Sequence, residues 1–241
     1  MFLLMLSKTK LRPTRGDRRL DREILSEIFT IGLPALGTTF VSCFGYIAFA
    51  RMVSGMGTTI FAAHSIAITA EQIVYIPGYG LRVATSTLVG NALGEKDIRK
   101  LKATERVSIL ITLLIMVVNG IGLYLFAYPF MRLFTNSVNA ARIGSEMLRL
   151  VSFSEPFFGL MIVLEGISYG MGRTKHVFAC EAVSMWGIRI FGTFLCVNVF
   201  GLGLKAVWLC MIADNICKAI LLYIFRPKHV EENADDRGAL R

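Results

Sequence analysis

The sequence predicts an all-α integral membrane protein with six transmembrane helices, and three observations carry that prediction. Of the 241 residues, 54% are hydrophobic and only 18% are charged, whereas a soluble domain carries about 25% charged residues. Apolar stretches run on for about 20 residues at a time, the length that crosses a bilayer core as a helix. The 26 Lys and Arg that produce a net charge of +9 are also unevenly placed. Seven lie in the opening tail (Lys8, Lys10, Arg12, Arg15, Arg18, Arg19 and Arg22) and five crowd one loop (Lys96, Arg99, Lys100, Lys102 and Arg106), the pattern of segments retained in the cytoplasm during insertion. The charge therefore reads as topology, with a lipid bilayer as the partner and no role for nucleic acid.

The first apolar span falls near residues 27–50. Ahead of it, Leu20, Ile24, Leu25 and Ile28 recur at helical spacing among Asp21, Arg22, Glu23 and Glu27, predicting a short amphipathic helix that enters along the interface. The second span, near 60–91, is longer than a straight crossing needs and carries Pro77-Gly78-Tyr79-Gly80 at its middle. A third lies near 107–131. The fourth, near 143–171, is again long and is interrupted by Glu155-Pro156. Proline removes a backbone donor and frees a carbonyl, which lipid cannot satisfy, so Pro77, Gly78, Gly80 and Pro156 are expected helix-break elements facing protein or a water-filled cavity, or packing kinks. The fifth and sixth spans fall near 176–200 and 204–225. Residues 1–25 then read as a basic tail, 26–226 as the membrane unit and 227–241 as a second tail.

An even number of spans puts both termini on one side of the membrane. With the amino terminus inside, sixteen basic residues in the tails and inner loops face four (Arg51, Arg132, Arg142 and Lys205) outside, so both termini are expected in the cytoplasm of a multi-pass plasma-membrane protein. Met1 to Leu6 is too short for a signal-peptide core, and its positive charges follow the apolar run.

Ionisable residues inside the spans are the candidate functional residues, because each charge at the bilayer centre costs about 2.5–3.5 kcal/mol. Glu71 and Arg82 lie in the second span, Glu155 and Glu165 in the fourth, Glu181 and Arg189 in the fifth, and Asp214 and Lys218 in the sixth. Glu165 and Glu181 are near enough to the loop at 173–175 to snorkel. Asp214 and Lys218 are four apart and are expected to pair on one helix face. Arg189 has no acid three or four positions away, so its partner comes from another helix, with Glu155 preferred and Asp214 second. Such groups form either a substrate or ion pathway (Glu71, Glu155, Glu165, Arg189 and Asp214) or fixed inter-helical ion pairs.

His64, His176 and His229 are isolated, and the five cysteines lie within apolar spans without metal-ligand spacing; they read as small hydrophobes rather than disulfide partners or metal ligands. No nucleophile elbow, phosphate loop or zinc motif is present, so neither enzyme chemistry nor a cofactor is expected, and the pair Gly90 and Gly94 signals no more than close packing.

Several runs resemble the carboxy-terminal half of multidrug and toxic compound extrusion (MATE) transporters. Ile76-Pro77-Gly78-Tyr79-Gly80, continuing through Ala84 to Gly94, is similar to the family's eighth helix. Leu164-Glu165-Gly166 leading to Gly170-Met171-Gly172-Arg173-Thr174 is similar to the glycine-rich end of its tenth. Ile31-Gly32-Leu33-Pro34-Ala35, Trp186-Gly187-Ile188-Arg189 and the stretch from Gly201 to Trp208 follow in the family's order. The resemblance covers roughly residues 20–228 and implies one six-helix lobe of a twelve-helix, two-lobe transporter, with the basic tail as the inter-lobe loop. It implies export of drugs or organic cations in exchange for Na+ or H+, with small cationic or amphiphilic compounds as cargo and a missing amino-terminal lobe or a second copy as partner. Some members carry a glutamate about eight residues after the first-span proline; Ser42 stands there, and Arg173 stands where an aspartate is frequent. Two alternatives are a lipid-linked precursor flippase, which would use Arg82 and Arg189 on a pyrophosphate, and a truncated lobe that does not transport.

Overall fold

The computed structural model describes residues 22–225, and every regular element among them is helical. The basic residues before Arg22, Leu20 of the amphipathic entry and the tail at 227–241 lie outside the described residues. The elements are α1 (Arg22–Ser54), α2 (Thr58–Gly94), α3 (Ile98–Phe134), α4 (Val138–Ser152), α5 (Glu155–Gly170), α6 (Thr174–Ser184), α7 (Phe191–Phe194) and α8 (Leu204–Ile224). Two π-helical turns, Met185–Ile190 and Leu195–Val199, join α6 to α7 and extend it, so that Thr174–Val199 forms one span of 26 residues. Five runs are long and apolar enough to cross a membrane, and α4 with α5 makes a sixth, bent by 60° at its break. The protein is thus an all-α, six-span membrane lobe.

Residues 22–28 belong to the same helix as the first span. The expected separate amphipathic helix is therefore continuous with α1 from Arg22 onward; no glycine or proline separates the two segments, and helix propagation is cooperative.

The two long spans treat their prolines differently. In the fourth, the ladder stops at Ser152 and restarts at Glu155, with Pro156 in the first turn of α5, where a missing donor costs little. The carbonyl of Ser152, which a non-proline residue at 156 would have engaged, faces Gly120 of α3, where a Cβ would stand only 2.8 Å from it. In the second, α2 runs without interruption from Thr58 to Gly94 with Pro77 inside it. No helix break occurs at Pro77-Gly78-Tyr79-Gly80. Only the carbonyl of Ile73 loses its partner there, and Asn119 of α3 donates to the adjacent Val74 carbonyl at 3.1 Å, supplying a polar group beside the site.

Hydrophobicity does not drive helices together in lipid, where the surroundings are equally apolar; close packing and inter-helical hydrogen bonds do. Small residues accordingly sit where α2 and α5 touch. A Cβ on Gly166 would lie 2.7 Å from the Arg82 carbonyl, and one on Gly170 would lie 2.6 Å from that of Ser86. These two glycines, four apart on α5, are the close-contact pair. Gly90 is 3.5 Å from the Gly170 carbonyl by the same construction and Gly94 meets nothing within 4 Å, so packing there comes from the facing helix.

The buried apolar side chains form two clusters. One gathers Phe49, Val53, Ala127, Met131, Leu148, Val207 and Trp208 around the end that carries the loops at 55–57, 135–137 and 200–203. There Trp208 donates its indole N–H to Nδ1 of the buried His64 at 3.2 Å. The other gathers Val89, Leu101, Met116, Phe158, Ile162, Leu164 and Leu222 toward the end that carries the loops at 95–97 and 171–173. Charged side chains occupy the region between them. The outer faces of α1 (Phe29, Leu33, Phe40, Ile47) and α3 (Leu114, Val118, Ile121, Leu125) are exposed and apolar, as a bilayer requires.

Candidate functional site

Eight ionisable side chains converge between the two apolar clusters, and their pairing differs from what spacing along single helices suggested. Arg189 sits on the first π-helical turn, which carries an extra residue per turn and aims its side chain inward. Its Nη2 lies 2.8 Å from Oδ2 of Asp214, and the two side chains are 5% and 0% exposed. Asn215 accepts a further bond from Arg189 at 3.3 Å, and Ser184 donates to Asp214. The guanidinium also stands 5.4 Å from the centre of the Tyr46 ring and 5.8 Å from that of Phe49, close enough for cation–π attraction.

Lys218, one turn further along α8, makes its direct contact with the fifth span. Its Nζ is 2.5 Å from Oε2 of Glu181, both side chains being buried. Asp214 and Lys218 attract each other along the helix face as expected, but at contact distance each α8 residue meets an opposite charge on the facing element, giving two cross-helix pairs. Glu155, the preferred partner of Arg189, does not reach it; Asp214 does, since the π turn packs against α8.

Glu165 and Glu181 do not snorkel. They are 6% and 4% exposed, held inside by cations. Arg82 Nη1 lies 3.0 Å from Glu165 Oε2, with the guanidinium 5.2 Å from the Tyr79 ring centre. Glu181 also accepts from Ser42 of α1. Ser42 of α1 therefore meets a carboxylate delivered from α6. No spacing rule reveals this, because the two residues are 139 apart.

The remaining two acids are of another kind. Glu71 is 2% exposed and accepts a hydrogen bond from Tyr75, one turn along α2. The Tyr75 ring is stacked on Phe158 of α5, with centroids 3.7 Å apart and planes at 14°, which fixes its hydroxyl. Glu155 is fully buried, and among the described residues neither of its oxygens has a hydrogen-bond partner. Its Cβ and Cγ lie against Gly120, and its carboxyl and that of Glu71 act on each other electrostatically. In this region three cations, Arg82, Arg189 and Lys218, are matched one to one by Glu165, Asp214 and Glu181. Among the described residues Glu71 and Glu155 make no ion pair at contact distance, although Arg189 acts on Glu71 electrostatically. A carboxylate at this depth without a contact partner is costly.

Of the five pathway residues read from the sequence, Arg189 and Asp214 are joined directly, Glu71 and Glu155 are grouped together, and Glu165 belongs to a separate pair with Arg82. Sequence reading missed Tyr75, Ser184 and Asn215 as members of the site, since neutral polar residues carry no cost signal in a hydropathy scan. Glu146 and Arg149 lie outside this site on the exposed face of α4, where Glu146 pairs with Lys205 at 3.1 Å.

A family model described as MatE matches residues 34–195. The chain is 30% identical over 201 residues to a probable multidrug resistance protein NorM of Thermotoga maritima, a match that covers 83% of this chain and 43% of that protein. It is 27% identical over 229 residues to a probable NorM of Photorhabdus laumondii, covering 93% and 51% respectively. Among solved structures, a MOP superfamily transporter from Pyrococcus furiosus superposes with a TM-score of 0.84 at 22% identity, covering 93% of this chain and 50% of that one. A crystal structure of MATE in the straight conformation gives the same values. The chain spans about half the length of the curated relatives it matches.

Proposed function

The chain belongs to the MatE family, and from that premise we propose that it supplies one lobe of a secondary active exporter that expels drugs or organic cations in exchange for Na+ or H+. A cavity between two lobes needs both walls, so the second wall comes from an amino-terminal six-helix lobe or from a second copy. The cargo is a small cationic or amphiphilic organic compound, carried out across the plasma membrane with both termini of this chain in the cytoplasm. No enzymatic step is involved.

The observation that carries this reading is the two buried carboxyls at Glu71 and Glu155, one bonded to Tyr75 and the other without a hydrogen-bond partner among the described residues. A carboxylate pair that alternates between an incoming cation or proton and an empty state is the coupling element that antiport requires. The three ion pairs beside it hold the helices in register. The flippase alternative needs free convergent arginines for a pyrophosphate, and both candidates already have carboxylate partners, Arg82 with Glu165 and Arg189 with Asp214.

The test is dye efflux in cells stripped of their own exporters, with this chain expressed alone and together with an amino-terminal lobe of a NorM relative. The chain alone is expected to give no energy-dependent efflux, and the assembled pair to give efflux that Glu155→Gln removes. Export by the isolated chain as a monomer, or export by the pair that survives both Glu71→Gln and Glu155→Gln, overturns the reading.

A further inference from the structure

The sulfur atoms of Cys196 and Cys210 lie 3.7 Å apart, in van der Waals contact, on two different spans. Cys196 is in the second π-helical turn, four residues before Phe200, and Cys210 is in α8, six residues after Leu204. Both are half-buried. At 1.5 Å per residue, Cys210 stands about 9 Å along the axis from the start of α8. The turn Phe200–Gly203 above them reverses the chain through Gly201 at φ +62°, a left-handed conformation that side chains other than glycine adopt only under strain. Gly192 allows the close approach: a Cβ there would stand 3.3 Å from the Cys210 sulfur.

We infer that Cys196 and Cys210 are a redox-active pair that closes to an intramolecular disulfide, fastening the π-distorted end of the fifth span to α8. Shortening 3.7 Å to the roughly 2.05 Å of an S–S bond asks for side-chain rotation at the ends of two spans joined by a short loop. This departs from the expectation that all five cysteines act only as small hydrophobes. The pair lies at the end opposite the basic loop of residues 95–97 and its flanks, hence on the outward side in the proposed topology, where an oxidising compartment sustains disulfides. Cys180 lies toward the other end of the fifth span, with its sulfur 3.8 Å from the imidazole of His176 and Cys217 near enough to act on it electrostatically.

The chemistry balances with an external disulfide as oxidant. One thiol gives its proton to solvent, and its thiolate attacks a sulfur of the oxidant, expelling one thiolate. The second cysteine then loses its proton and attacks the mixed disulfide, expelling the other. Two cysteine thiols are oxidised, and one external disulfide is reduced to two thiols.

The experiment counts reactive thiols on the full chain in membranes with a PEG-maleimide, applied after denaturation, with and without prior exposure to oxidised glutathione. The reduced chain has five cysteines and takes five tags. Exposure to the oxidant is expected to lower the count by two in the wild type and in Cys180→Ser, and by no more than one in Cys196→Ser or Cys210→Ser, where the remaining thiol can go no further than a mixed disulfide with glutathione. Peptide mass spectrometry of the oxidised wild type should find Cys196 and Cys210 in one linked species, two hydrogens lighter than the sum. Retention of all five tags, a loss of two that persists in Cys196→Ser, or linkage of either cysteine to another partner overturns the inference.

Discussion

The guanidinium of Arg189 lies 2.8 Å from the carboxylate of Asp214, and the two side chains are almost wholly removed from the surface. They come from a π-helical turn and from α8, so neither helix can rotate without separating them. Charge pairs of this kind carry a large desolvation penalty on each member, and deleting one member leaves the other unmatched, at a cost of about 3–5 kcal/mol.

Arg189→Ala is therefore expected to lower the melting temperature of the detergent-solubilised chain and its yield of monodisperse protein. Adding Asp214→Asn should recover part of the loss, a coupling of about 1–3 kcal/mol in a double-mutant cycle. Adding Glu155→Gln should give no such coupling. Additive behaviour with Asp214 would contradict the pairing.

Glu155 predicts the opposite sign. Its oxygens have no hydrogen-bond partner among the described residues, so Glu155→Met, which keeps the length of the side chain beside Gly120, is expected to raise thermal stability by about 1–3 kcal/mol. In the assembled transporter the same change should abolish efflux. A variant that is both less stable and inactive would mean that the carboxylate is structural.

The glycine contacts separate close approach from open space on the two helices that share them. Gly170→Ala places a methyl group 2.6 Å from the Ser86 carbonyl and 2.8 Å from Cβ of Val89, and overpacking of this kind costs about 1–3 kcal/mol. Gly94→Ala meets nothing within 4 Å and should leave the melting temperature unchanged. Thermal melts of the two single variants check the difference.

Topology is tested by labelling. In a chain cleared of native cysteines, Asn136→Cys should react with an impermeant maleimide added to intact cells, while Lys100→Cys should react only after lysis. Both positions are exposed, so accessibility does not confound the comparison. The reverse pattern would overturn the orientation derived from charge.

Composition and one-dimensional periodicity are enough for the class of protein. The length of the apolar runs follows from the thickness of the bilayer, so the six spans, and the break of the fourth at Glu155-Pro156, are legible in the residues alone. The order of glycine-rich motifs around Pro77 and Gly170 is likewise legible as a MATE resemblance. The cost of burying charge marks the right residue types, Arg189 and Asp214 among them, but not their partners. Asp214 and Lys218 are neighbours on one helix face, yet each pairs across to the fifth span, Asp214 with Arg189 and Lys218 with Glu181. Ser42 meets Glu181 from 139 residues away, and Glu155, which by depth is the natural mate of Arg189, is left facing Gly120. These outcomes depend on how far each helix is rotated about its own axis and on where π turns insert an extra residue. Both are set by side-chain packing between helices, a property of pairs of segments that no single segment encodes.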